Sequence, residues 1–320
     1  MSFVSTASGP MDTSRLGFTL MHEHIILQTV ALKNNWPEAF DREGAIQVAV
    51  GKLREAKAAG VDTIVDATPF DLGRDVPLVA EAARRAEIQV IFATGTYFPV
   101  PKYFQTHSAD EVAELFIRDI TEGIQGTDIK AAIIKNASEG RSLAGPQETV
   151  FRAAARAHRR TGVPLTTHSN APEQGGLDQQ RVYAEEGVDL TRVIIGHSCD
   201  TEDLDYLKRL LDRGSYIGMD RFGLELLRGE RLPTTEQRVR VITELCRQGY
   251  AGQIVLSTDT LSCSDYWSAE YMAREWPGRR YSYLPRVVLP ALLEAGVSRT
   301  QIDQMTRLNP RAIFEREGAY

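Results

Sequence analysis

Short apolar runs rich in β-branched residues alternate with longer amphipathic stretches along almost the whole chain. The short runs predict strands at Phe18–Ile25, Thr63–Asp66, Val90–Thr94, Ala131–Lys135, Pro164–His168, Val193–His197, Ser215–Asp220 and Ile254–Thr258. Between them, apolar positions recur at helical spacing over Ala45–Ala59, Val76–Ala86, Ala109–Gly123, Glu148–Thr161, Gln179–Glu186, Asp203–Arg213, Glu236–Gln248 and Tyr283–Ala295. Several of these segments stop at a glycine, the residue that most easily closes a helix in a left-handed conformation.

Eight strands alternating with eight helices imply parallel strands joined by helical crossovers. A doubly wound open sheet shares that rhythm, but it carries a Gly-rich phosphate loop after its first strand. Here that strand runs into Met21-His22-Glu23-His24. The pattern therefore predicts an α/β fold, a (β/α)8 TIM barrel over residues 1–320 as a single domain, with an additional C-terminal helix at Gln301–Glu315. No Pro/Ser-rich linker, low-complexity tract or repeat marks a second domain.

Composition narrows the function classes. A chain of 320 residues, 42% hydrophobic and 25% charged, has the make-up of a soluble globular enzyme. A formal charge of −6, with basic clusters no larger than Arg159–Arg160, argues against a nucleic-acid partner. No apolar stretch is long enough to span a bilayer, and Met1–Gly17 lacks the basic-then-apolar order of a cleaved signal. Cys199, Cys246 and Cys263 are odd in number and without CxxC spacing, so they read as free thiols of a cytoplasmic protein.

The chemistry gathers at strand ends. Of six histidines, His22, His24, His168 and His197 fall at the C-terminal ends of predicted strands, whereas His107 and His158 read as surface residues. A His-x-His on a strand turns both imidazoles to one face and should turn Glu23 toward the helical layer. Asp259 follows the eighth strand and Lys135 ends the fourth. In a barrel these ends converge on one face, where four imidazoles and a carboxylate suit zinc or a neighbouring first-row metal. Lys135 is a cation without a lone pair; buried near metals it should lose its proton. It then either reacts with carbon dioxide to give a bridging carbamate or pairs with a carboxylate, and the residues alone leave both open.

The order His-x-His, Lys, His, His, Asp resembles the amidohydrolase superfamily, and the longer wording is similar to its phosphotriesterase family, near the phosphotriesterase-like lactonases. Gly17-Phe18-Thr19-Leu20-Met21-His22-Glu23-His24, Thr161-Gly162-Val163-Pro164-Leu165-Thr166-Thr167-His168, Ile195-Gly196-His197-Ser198 and Gly218-Met219-Asp220-Arg221 carry the resemblance, which runs from about Gly9 to Phe314. It implies two divalent metal ions, zinc first and cobalt, manganese or iron as alternatives. His22, His24 and Asp259 would hold the more buried ion and His168 and His197 the more exposed one. A carbamate on Lys135 and a hydroxide would bridge them, with Asp259 as proton acceptor. A homodimer also fits the resemblance.

Departures within the family bear on substrate. Asp200 matches a proton-relaying carboxylate of the true phosphotriesterases, but its partner position is Arg221, which cannot shuttle protons near neutral pH. Arg221, Tyr97 and the compact Phe222–Pro233 loop are lactonase-like, and a phenol at such a centre could steady a developing oxyanion. Thr258, before Asp259, matches neither group and has no assigned role. The aromatic segment Thr260–Tyr281, with Tyr266, Trp267, Tyr271, Trp276 and Tyr281, reads either as a lid over an apolar substrate or as a dimer contact. The expected substrate contacts are Tyr97, Arg221, Phe222, Tyr266 and Trp267. The expected activity is lactone hydrolysis, as on N-acyl-homoserine lactones, with slower cleavage of organophosphate triesters. The alternatives are a dedicated phosphotriesterase and a catalytically silent barrel that binds a small molecule.

Overall fold

In the computed structural model, which describes residues 2–227, 229–315 and 318–320, eight parallel strands form one sheet in chain order. They are β1 (Thr19–Glu23), β2 (Thr63–Asp66), β3 (Gln89–Gly95), β4 (Ile133–Ala137), β5 (Leu165–His168), β6 (Val193–Ile195), β7 (Tyr216–Met219) and β8 (Ile254–Leu256). The outer layer runs α1 (Arg42–Ala58), α2 (Val76–Ala86), α3 (Ala109–Thr121), α4 (Pro146–Thr161), α5 (Gly176–Glu185), α6 (Leu204–Asp212), α7 (Thr235–Arg247) and α8 (Leu289–Glu294). The sheet curls until β8 meets β1, giving the (β/α)8 barrel expected from the pattern.

Alternation along each strand builds two cores. Ile64, Val90, Phe92, Ile134, Val193, Ile195, Ile254 and Leu256 face the helices. Their neighbours Val65, Ile91, Ala93, Ile133, Ile194 and Val255 fill the barrel interior. An N-terminal hairpin that the pattern did not predict, Phe3–Thr6 against Gly9–Asp12, closes the interior from one end: Val4 and Met11 pack there with Leu16, Ile313 and Phe314. The C-terminal helical segment starts earlier than expected and is not uniform. It runs from Arg299 to Glu315 with a widened π turn at Gln304–Leu308. A second π turn, Leu284–Val288, precedes α8. Each lies two residues ahead of a proline, Pro310 or Pro290, whose missing N–H breaks the ordinary helical ladder.

The barrel seam is closed by side chains as well as backbone. The His22 amide donates to Ser257 Oγ at 2.8 Å, Asp259 N to His22 O at 3.2 Å and His24 N to Thr260 O at 2.8 Å. Glu23 points away from the imidazoles but is not taken up by a helix, as alternation suggested. It accepts from Ser257 Oγ (2.8 Å), Thr258 N (2.7 Å), Thr258 Oγ1 (2.8 Å) and Thr260 N (2.7 Å), all on the far side of the seam. That gives Thr258 a place in the fold: it is a staple of the seam.

His158 corrects another expectation. It is fully buried on the inner face of α4, one turn after Ala154, and its ring bonds Val163 O at 2.7 Å and Tyr320 Oη at 2.6 Å. Burial pushes its pKa down to about 4, so it is a neutral core residue beside an exposed Arg pair. His107 is half-buried and stacked on Tyr103, with ring centres 3.7 Å apart. No helix among the described residues is long and apolar enough to cross a membrane, and all three cysteines are free.

Candidate metal centre

Backbone irregularity aims the side chains. On β1, Leu20 faces the helices and Met21 the interior, so simple alternation would turn His22 outward. The register of β1 on β2 shifts between Leu20 and Glu23, and this bulge resets the phase so that both imidazoles enter the site. His197 and Asp259 lie beyond their strands, with left-handed backbones at φ 57° and 48°. Such conformations are costly for residues other than glycine and collect at functional positions. β6 ends at Ile195, earlier than predicted, because the His197 amide donates to the Asp220 carboxylate at 2.9 Å instead of continuing the sheet ladder.

The strand ends bring His22, His24, Lys135, His168, His197 and Asp259 into one buried cluster. Ring centres of His22 and His197 lie 4.7 Å apart, His168 and His197 4.4 Å, and His22 and His24 5.8 Å. Asp259 Oδ1 is 3.4 Å from His24 Nε2 and its Oδ2 is 4.0 Å from His197 Nε2. Lys135 Nζ is 2.5 Å from His22 Nε2. Ligand atoms of His22, His24 and Asp259 all fall within 4.8 Å of one another, spacing that could hold an ion.

The opposite ring nitrogens are committed to the protein. His22 Nδ1 and His197 Nδ1 share Asp220, at 3.0 and 2.9 Å. His24 Nδ1 meets Thr68 Oγ1 at 2.8 Å, and that hydroxyl donates to Asp66 at 2.5 Å. His168 Nε2 lies 3.2 Å from Glu139 Oε1, and its Nδ1 lies 3.3 Å from the Tyr97 hydroxyl. His22, His197 and Asp220 also form a close triad, but it uses the outer nitrogens and works as an orienting contact. Asp220 closes the strand predicted over Ser215–Asp220, so an acid at a strand end was visible in the sequence. Its partner was not, because pairing across the barrel has no local signal.

Electrostatics fit a ligand set. Burial lowers the pKa of His24, takes His168 to about 4 and, with the Arg221 charge, holds His197 well below the ordinary value, so these rings are neutral near pH 7. Burial also pushes Lys135 down to about 8 against the pull of Asp259 and Asp220. No ion pair of Lys135 within 4.0 Å occurs among the described residues, although Asp259 and Asp220 both act on its charge. Asp259 is held well below the usual carboxylate range: burial opposes this, but the His24 hydrogen bond, the neighbouring His197 and the Arg221 guanidinium prevail.

Arg221 is buried and clamped. Its Nε donates to Asp259 Oδ2 at 3.0 Å and its Nη1 to Asp200 Oδ2 at 2.6 Å. Arg238, which the sequence did not single out, fixes this pair from beneath by donating to Asp200 Oδ1 at 3.3 Å and to the Arg221 carbonyl. Two of the nitrogens of Arg221 are thus engaged within the protein, Nε by Asp259 and Nη1 by Asp200. Phe222 departs from expectation more completely. At 0% exposure it belongs to the helix-facing core and presents no surface to a ligand.

Tyr97 is half-buried beside His168, its amide held by both Asp71 oxygens at 3.1 and 2.8 Å. Tyr266 and Trp267 are half-buried in the loop after β8, edge-to-face at 5.6 Å, and Trp267 meets Trp276 at 5.1 Å. Trp276 Nε1 donates to Leu226 O at 3.0 Å, tying this loop to the one after β7. Tyr281 is buried and donates to His24 O at 2.7 Å, so it serves the site's frame and does not belong to a lid.

Comparison with known proteins agrees with this architecture. The phosphotriesterase family profile matches residues 2–314. A "phosphotriesterase homology protein" of Mycobacterium tuberculosis is 43% identical over 330 residues, covering all of both chains. An "aryldialkylphosphatase" of Saccharolobus solfataricus is 37% identical over 95% of this chain and 96% of its own. The solved structure of the phosphotriesterase from Mycobacterium tuberculosis superposes with a TM-score of 0.92 at 42% identity, covering 99% of this chain and 100% of that one. With its barrel, its strand-end cluster and near end-to-end similarity in agreement, the chain belongs to the phosphotriesterase family.

Proposed function

We propose that this protein is a binuclear metal-dependent hydrolase of lactones, N-acyl-homoserine lactones among them, that cleaves organophosphate triesters more slowly. The observation that carries the reading is Lys135: a fully buried lysine without a carboxylate partner among the described residues, set against an imidazole nitrogen. Burial favours its free amine, whose nitrogen adds to the carbon of carbon dioxide and loses a proton to give a carbamate. His22, His24 and Asp259 would hold one divalent ion, His168 and His197 the other, with that carbamate between them; the nitrogen-rich set suits zinc. When bound, two such ions supply Lewis acidity and make water acidic near neutral pH.

The chain's own residues set the rest. Asp259, aligned by Arg221, takes the proton of the attacking water. The Tyr97 hydroxyl, 3.3 Å from His168, donates to the lactone oxygen as negative charge develops on it. Tyr266 and Trp267 supply an aromatic wall for an acyl tail. The Asp200–Arg221 ion pair cannot relay protons, which supports the lactonase reading over a dedicated phosphotriesterase. That second reading is favoured by the relative named an aryldialkylphosphatase.

A substrate panel on protein of measured metal content decides between them. We expect kcat/KM for acyl lactones to exceed that for aryl triesters; the reverse order selects the phosphotriesterase, and fewer than two metals per chain selects the silent barrel. We place the protein in the cytoplasm on the strength of its three unpaired cysteines. We also propose a homodimer: exposed Phe70, Tyr103 and Leu115 border one groove of about 820 Å³. Light scattering should give twice the 35.6 kDa chain mass, and a monomer at micromolar concentration would refute it.

A further inference from the structure

We infer that Glu139 is the positioning residue of His168, selecting the nitrogen that this imidazole presents and setting how firmly the outer metal is held. The inference rests on the binuclear reading above. A ligating imidazole has one lone pair to give, and the acceptor at its other nitrogen decides which one. For His22, His24 and His197 the buried partners Asp220 and Thr68 take Nδ1, leaving Nε2 for the site. His168 is reversed. Its Nε2–H points at Glu139 Oε1, 3.2 Å away, and its Nδ1 lone pair faces the side of the site where Tyr97 stands.

Glu139 is presented by a fixed piece of backbone. It lies two residues past β4, and the intervening Ser138 amide donates to His168 O at 3.0 Å. Gln179 clamps both partners, donating to Ser138 Oγ at 2.8 Å and to His168 O at 2.9 Å. The carboxylate therefore moves with the histidine it orients. It differs from Asp220 in exposure, 41% against 1% for the side chain, so water and salt weaken its grip. The ion held by His168 and His197 is accordingly the exchangeable one, and Glu139 governs its retention.

The test uses purified full-length protein carrying both ions, dialysed against graded chelator, with metal per chain measured by mass spectrometry. Glu139→Ala should lose one equivalent at about 10- to 100-fold lower chelator concentration, the usual effect of removing such an acceptor, while the other equivalent leaves as in the parent. Glu139→Gln, which keeps an acceptor oxygen without the charge and guards against misfolding of the alanine variant, should fall between. Unchanged release in both variants, or equal weakening of both equivalents, overturns the role of Glu139 while the binuclear reading stands. A parent protein that binds fewer than two ions removes that reading and this one together.

Discussion

At the residue scale, Lys135 is a charged group placed in surroundings that its side chain does not prefer. An ammonium normally seeks water or a carboxylate; here burial holds the pKa near 8. The sign follows directly. Below that value the amine is protonated and cannot add to carbon dioxide, so metal uptake by stripped protein in bicarbonate should rise as pH increases through about 8. Uptake independent of pH between 6 and 9 would contradict this. Lys135→Ala should abolish hydrolysis, and a short carboxylic acid at high concentration should restore part of it by bridging where the carbamate stood. Full activity in the unrescued variant would end the carbamate assignment. The sequence named all six members of this cluster because each lies at or just past the end of a strand that the pattern predicts. It did not name Asp220, Thr68 or Glu139 as their partners, since those hydrogen bonds join residues 23 to 198 positions apart.

At the element scale, the strand pattern was legible because alternating apolar residues serve two cores at once. What it could not give was phase at the strand ends. Period-two reasoning put both β1 imidazoles on one face, but only the bulge between Leu20 and Glu23 makes that the inner face. Strand ends were overestimated at His197 and Thr258 for a related reason: side-chain acceptors, Asp220 and Glu23, take over amides that would otherwise extend the ladder. Thr258 is the position to test. Thr258→Val keeps the shape and the amide bond but removes the hydroxyl donor to Glu23, a hydrogen bond to a buried acidic group. Burial raises the Glu23 pKa to about 8, so near neutral pH we expect the loss of an uncharged hydrogen bond, about 0.5–1.5 kcal/mol in denaturant unfolding, with the metal ligands intact. A change below about 0.5 kcal/mol would show that the seam does not depend on this staple.

At the scale of the whole molecule, the barrel does two things that no single element could. It converges six distant residues on one end, and it plugs the other end with a hairpin and a terminal helix so that the interior stays packed. The plug escaped sequence reading because its strands are only four residues long and lie outside the repeating strand–helix rhythm. His158 and Phe222 escaped it too: each sits beside charged residues in sequence yet is turned fully inward by its element. The central claim concerns the converging end, that two cations share a carbamylated lysine there. The measurement that reaches it most directly is anomalous diffraction from crystals of protein prepared with zinc and bicarbonate. Two peaks within the imidazole cluster, with carboxylate density continuing from Lys135 Nζ, are the predicted result; a single peak, or a bare lysine amine between two, would contradict it.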